Sequence, residues 1–333
     1  MRSGIGATDW RIRQDDATAT TIERIRGERA CDRRPVVLAV ALRLIDLRIS
    51  RGACCMIIPI KTLAAVALFA VTIHAYAQRA PDLFRAAAVG DAVEVKRLLA
   101  GGISPNYRDP EGDTALIVAA NEGHLAAAHA LLAAGADVRA TGANGVTALH
   151  AAAKGGHADL IAMLVRAGLS VNLRTNDGQT PLYLAAESGR LDAVTQLLAH
   201  HANINAVTAN EETVLHGAAI GGNGEIVQRL VSRGVSLNAL NKDGEAPLFW
   251  AAAAGHMEAT QALVVRGAPI NARDARGDTA LHGAAASGHV EVVRYLLFRR
   301  ADRSIMNNQG KTALDLAKVR MAAAVVDVLE DLR

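Results

Sequence analysis

From residue 81 onward, apolar and polar positions follow a helical rather than a strand spacing, in runs short enough to be single small helices. A Leu-x-x-Ala-Ala run predicts a first helix of about eight residues. A second apolar run, such as Val290, Val293, Leu296 and Leu297, predicts another. Between the two stands a glycine, at Gly90, Gly123, Gly156, Gly189, Gly222, Gly255 and Gly288, where a helix C-terminal cap calls for positive φ. After the second helix comes an Asp/Asn-Gly pair such as Asp177-Gly178 or Asp243-Gly244, the signature of a tight hairpin turn.

The whole unit recurs without insertion or deletion. Its leading leucine falls every 33 residues, at Leu83, Leu116, Leu149, Leu182, Leu215, Leu248, Leu281 and Leu314. A fixed period of this length means stacked supersecondary units, each covering the apolar face of its neighbour. The fold expected is an all-α repeat solenoid of about seven full repeats and a C-terminal capping repeat. The cap is marked by Asp315, Lys318, Arg320, Glu330, Asp331 and Arg333 on an otherwise apolar helix pair.

Aligned on the leucine, the units share Gly-x-Thr-(Ala/Pro)-Leu-His-x-Ala-Ala, then Gly-His, then Leu-Leu-x-x-Gly-Ala-x-x-Asn. The core stands as Thr114-Ala115-Leu116-Ile117, Thr147-Ala148-Leu149-His150, Thr180-Pro181-Leu182-Tyr183, Thr213-Val214-Leu215-His216, Thr279-Ala280-Leu281-His282 and Thr312-Ala313-Leu314-Asp315; Ala246-Pro247-Leu248-Phe249 lacks the threonine. Thr suits a helix N-cap and Pro the first helical position. This frame resembles the ankyrin repeat and covers roughly residues 81–333. The resemblance implies helix-turn-helix plus hairpin units and a non-catalytic scaffold that holds another protein in a concave groove. It also implies that His150, His216 and His282 tie neighbouring hairpin loops together. A secreted effector acting on host proteins, or a periplasmic protective or chaperone-like accessory of an enzyme, fits the same resemblance.

The front of the chain lies outside the period. Residues 1–55 carry eleven arginines against seven acidic residues and read as an Arg-rich extension, non-native or disordered. Residues 56–77 have the anatomy of a signal peptide: Lys61, an apolar run from Leu63 to Ile73, and Ala75-Tyr76-Ala77 as a small-x-small cleavage site. The start is therefore expected at Met56, cleavage near Ala77, the repeat domain at 78–333, and the mature protein in the periplasm or secreted. Cys31, Cys54 and Cys55 all precede Met56, so the mature part has no cysteine.

Composition changes meaning once the front is set aside. The full chain is +3, but without residues 1–55 and Lys61 there remain 24 Lys and Arg against 26 Asp and Glu. With neither a basic stripe nor aromatic platforms, nucleic acid is not an expected partner. A membrane is not expected for the mature form, and a monomer is. No Ser-His-Asp order, paired carboxylates or phosphate loop emerges, so neither enzyme activity nor a metal or cofactor is expected. Gly221-Gly222-Asn223-Gly224 follows a first helix rather than a strand and reads as a widened helix–helix turn.

Partner recognition should then lie where repeats differ. Two residues after each framework leucine come Arg85, Val118, Ala151, Leu184, Gly217, Trp250 and Gly283, expected to face the groove. Trp250 among small neighbours is either a binding anchor or a side chain packed on an adjacent hairpin. Trp250, Leu184, Val118 and Arg85, with the tip residues Asp113, Gln179, Glu212, Glu245 and Asp278, form the expected partner-binding set. The tips are predominantly acidic and suggest a partner with a basic or hydrogen-bond-rich face.

His201, Arg300 and Glu211 stand where the other repeats use glycine. At the hairpin turn, Glu211→Gly is expected to raise stability by about 0.3–1 kcal/mol, the strain relieved exceeding the entropy that Gly adds to the unfolded chain. Thermal melting checks this, and a clear fall in Tm would contradict it.

Overall fold

A computed structural model describes residues 81–331. The extension expected at 1–55 and the signal peptide expected at 56–77 lie outside the described residues. Within them the chain forms sixteen helices in eight antiparallel pairs. The first four pairs are α1 (81–89) with α2 (Ala92–Ala100), α3 (Ala115–Glu122) with α4 (Leu125–Ala133), α5 (Ala148–Gly155) with α6 (Ala158–Arg166), and α7 (Pro181–Glu187) with α8 (Leu191–Ala199). Then come α9 (Val214–Gly221) with α10 (Gly224–Val231), α11 (Pro247–Ala253) with α12 (Met257–Val265), α13 (Ala280–Ala286) with α14 (Val290–Phe298), and α15 (Ala313–Val319) with α16 (Ala323–Asp331). The capping repeat thus keeps both helices.

Each first helix starts where the sequence places its cap. The Thr114 and Thr180 hydroxyls accept from the backbone N–H of Ile117 and Tyr183, at 3.4 and 3.2 Å. Pro181 and Pro247 open α7 and α11. The framework leucines from Leu83 to Leu281 are buried, and alanines fill the space around them. Small side chains let first helices approach one another more closely than most second helices do. The stack therefore curves, with first helices and hairpins on its concave side.

Histidines link the repeats in both directions. His150 Nδ1 accepts the Thr147 N–H at 3.3 Å and lies 2.9 Å from the Thr147 hydroxyl, while Nε2 reaches the carbonyls of Leu173 and Gln179 in the next hairpin at 3.2 and 3.3 Å. His216 does the same between Thr213 and the Glu245 carbonyl, and His282 between Thr279 and the Lys311 carbonyl. An Nδ1 that accepts and an Nε2 that donates define a neutral ring in its Nε2–H form. After the helix-ending glycine, His124, His157 and His289 reach back to carbonyls of the preceding repeat, at Ala88, Asn121 and Ala253.

The forward tie alternates with a period of two repeats. Ile117, Tyr183 and Phe249 occupy the histidine position in the intervening repeats. The two rings turn onto the repeat that follows: a β-carbon at Gly217 would stand 3.3 Å from the Tyr183 ring, and one at Gly283 3.2 Å from the Phe249 ring. These glycines are the space the rings occupy. Gly221 and Gly224 are also close-contact positions, which corrects the expectation of a widened turn. A β-carbon at Gly221 would meet the Ala186 carbonyl at 2.3 Å, and one at Gly224 the Glu258 carbonyl at 2.8 Å. The glycine run brings α9 against the repeat before it and α10 against the repeat after it.

Glu211, His201 and Arg300 have φ of 62°, 60° and 67°, the left-handed conformation that glycine adopts at the equivalent positions. Asn144 and Met321 share it, at 54° and 57°.

Burial holds the His150 and His216 rings below the ordinary imidazole value. An unfolded imidazole takes up a proton near pH 6.5. The stability these rings contribute is therefore complete above that pH and is lost as pH falls towards their lowered values. Nitrogen-detected NMR across a pH titration is expected to show both rings keeping a single proton, on Nε2, to lower pH than a free imidazole; rings that protonate at or above the free-imidazole pH would contradict the assignment.

Candidate functional site

Where α3, α5 and α7 face the groove, a cavity of about 510 Å³ lies over Ala151. Its floor is Ile117, Val118, Ala151 and Leu184. Asp113, Asn144, Val146 and Gln179 come from the hairpins, and Asn121, Glu122 and Lys154 from the ends of α3 and α5. The cavity is lined by a repeat whose histidine position carries neither a histidine nor an aromatic ring. Tyr183 and Phe249 cover the glycines after them, whereas Ile117 carries no ring to extend over Ala151. An apolar floor with a few polar groups around it is the usual anatomy of a binding hollow.

Hydrogen bonds between hairpins fix the polar side of the cavity. Asp113 Oδ1 accepts the Ala143 N–H at 3.3 Å, and the Asp113 N–H donates to Asp109 Oδ1 at 2.7 Å. Asn144 donates through its side chain to Asp177, and its carbonyl accepts the Asn176 N–H at 2.9 Å. Arg108 donates to the Gly112 carbonyl at 2.6 Å and to the Thr141 carbonyl. Burial, with Asp109 and Glu111 nearby, pushes the Asp113 carboxyl above the usual carboxylate range. At the end of α7, burial and the charge of Glu212 push the Glu187 carboxyl up, against the opposing pull of Lys154.

Four of the nine residues expected to contact a partner meet at this cavity: Asp113, Val118, Gln179 and Leu184. Leu184 presents only a small face, being 7 % exposed. Indeed the position two residues after the framework leucine is less open than expected, since Ala151, Gly217 and Gly283 are buried as well. Arg85 is exposed, pairs with Asp82 at 3.0 Å, and borders a separate hollow of about 630 Å³ beside Phe84, Tyr107 and Val118.

Three acidic tip residues are engaged inside the protein instead of standing free in solvent. Glu212, 9 % exposed, accepts the Tyr183 hydroxyl at 2.7 Å and the Thr208 hydroxyl at 3.2 Å. Burial beside that carboxylate pushes the Tyr183 phenol up, so the ring remains a donor. Glu245, 7 % exposed, accepts from Asn241 at 3.1 Å and from Arg276 at 2.8 Å. Asp278 accepts from Asn307 at 2.8 Å and stands 3.6 Å from Arg276, which also pairs with Asp274 at 2.9 Å and lies 5.9 Å from the centre of the Phe249 ring. A buried carboxylate needs such partners.

Trp250 packs on the core while remaining partly exposed. Its side chain is half-buried against the core, and its Nε1–H is buried without a hydrogen-bond partner. Truncating it would remove core contacts as well as any groove contact.

Ile117, Asn121, Glu122, Asn144, Val146, His150, Ala151 and Lys154 complete the cavity and were not in the expected partner-binding set. The usable signal was the alternation of Ile117, Tyr183 and Phe249 with His150, His216 and His282. Among the described residues no group of three or more His, Cys, Asp or Glu is placed to hold a metal ion, and no helix is long and apolar enough to cross a membrane.

Comparison with known proteins agrees with this geometry. A family model described as ankyrin repeats (3 copies) matches residues 81–142, 130–208, 196–274, 215–307 and 255–330. No curated protein matches the chain.

Proposed function

Because the chain belongs to the ankyrin repeat family, we propose that it is a non-catalytic scaffold that captures another protein in its concave groove, centred on the cavity over Ala151. Repeats of this family generally mediate protein–protein interaction. The observation that carries the assignment of place is the cavity lined by Val118, Ala151 and Leu184, of which Val118 is the partly exposed one, bordered by polar side chains from both hairpins and helix ends. The tips around Arg276 are a poorer location, because their carboxylates are already satisfied within the protein.

The protein works as an exported monomer, in the periplasm or outside the cell, after removal of its leader near Ala77. Supporting this are Lys61, the apolar stretch from Leu63 to Ile73 and the Ala75-Tyr76-Ala77 triplet.

A photo-crosslinking amino acid tests the groove directly. Placed at Lys154 at the cavity edge, it is expected to capture a discrete partner protein in cells; placed at the exposed His129 on the second helix α4, it is not. Equal capture from both positions, or capture from His129 alone, would contradict the assignment.

A further inference from the structure

The cavity over Ala151 also has a charge character that narrows the chemistry of what enters it, on the premise that the groove is the binding surface. Its apolar floor is flanked by Asp113 at the hairpin side and Glu122 at the helix end. Asp109 and Glu111 stand close enough to Asp113 to act on its charge, and Glu187 lies within electrostatic range of Lys154. Against these five acids stand Arg108, Lys154 and Arg190, the last lying beside Glu122 and Lys154 and donating to the Lys154 carbonyl at 3.2 Å. Arg108 is committed to the Gly112 and Thr141 carbonyls, and Lys154 is the cation at the cavity itself. Glu122 has a single neighbouring donor, Asn121, at 2.9 Å.

This differs from the other acidic group of tips. There Arg276 sits among Glu245, Asp274 and Asp278 and supplies the missing charge from within the chain. At the hairpin side of the cavity, Asp109, Glu111 and Asp113 have Arg108 as their neighbouring cation, and its donors are committed to backbone carbonyls.

We propose that the cavity receives a lysine or arginine side chain of the partner protein, its hydrocarbon stem lying over Val118, Ala151 and Leu184 and its cationic end beside Asp113, with Glu122 adding negative charge from the far end of α3. Long basic side chains combine an apolar stem with a charged head, the same combination that the floor and walls present. Asp113 is half-buried, and a cation beside it restores the charged form of a carboxyl that burial disfavours. Recognition of this kind is screened by salt and is directed by the opposite charges on the two surfaces.

Selection of phage-displayed random dodecapeptides on the full chain tests this, followed by fluorescence-polarisation titration of the enriched peptides. Enriched sequences are expected to share a Lys or Arg next to an apolar residue. Their affinity is expected to fall about tenfold in the double variant Asp113→Asn, Glu122→Gln and to rise several-fold in Lys154→Glu, where an exposed cation is replaced. Peptides that lack a basic residue, or that bind the double variant and Lys154→Glu as tightly as the original, would overturn the proposal. Val118→Trp, checked for intact helix content, separates this from the premise. Loss of binding in Val118→Trp with indifference to charge would leave the groove as the site and remove only the basic side chain; full binding in Val118→Trp would remove both.

Discussion

Every feature of this protein depends on one constraint: a unit of 33 residues made of two short helices and a hairpin cannot bury its own apolar face. Leu149, Leu182 and Leu215 become core residues only because a neighbour covers them. Alanine dominates the first helices because closeness of approach, not side-chain bulk, is what the stack demands there. The forward link through His150, His216 and His282 adds direction to that packing. Each ring fixes a helix start with one nitrogen and the next hairpin with the other, so a unit is oriented by its neighbour as well as covered by it.

The groove follows from how that link varies. Where Tyr183 and Phe249 replace the histidine, their rings lie on Gly217 and Gly283, and the inner surface is filled. Where Ile117 takes the same place, the surface over Ala151 stays hollow. The scaffold and its candidate site are therefore not separate layers of the design. The position that couples repeats through histidine also carries Ile117, a lining residue of the cavity.

Much of this was legible in the sequence, for physical reasons that can be named. A side chain that every repeat must bury, cap or turn with recurs at a fixed interval, so Leu116, Thr147 and Gly123 declare their roles by position alone. Glu211, His201 and Arg300 stand out against the glycines of other repeats, and their positive φ is the structural counterpart. Partners in space are harder to read. Glu212 and Glu245 look like solvated tip residues until Tyr183, Thr208, Asn241 and Arg276 are placed beside them. Trp250 stands out by type, but the core packing of its ring and the enclosure of its Nε1 are seen only in space. Gly221 and Gly224 read as slack in a turn, though a β-carbon at either would collide with a carbonyl of an adjoining repeat. In each case the residue type was visible, and what was missing was the group packed against it.

The claim that a short side chain at the coupling position opens the site is tested most directly by copying the filled arrangement into the hollow one. Ile117→Phe together with Ala151→Gly reproduces the pairing of Phe249 with Gly283. The measurement is partner capture from a photo-crosslinker at Lys154, with the melting temperature followed in parallel. The expected result is a stack that melts as before and no longer captures its partner, and undiminished capture by the folded double variant would contradict the account.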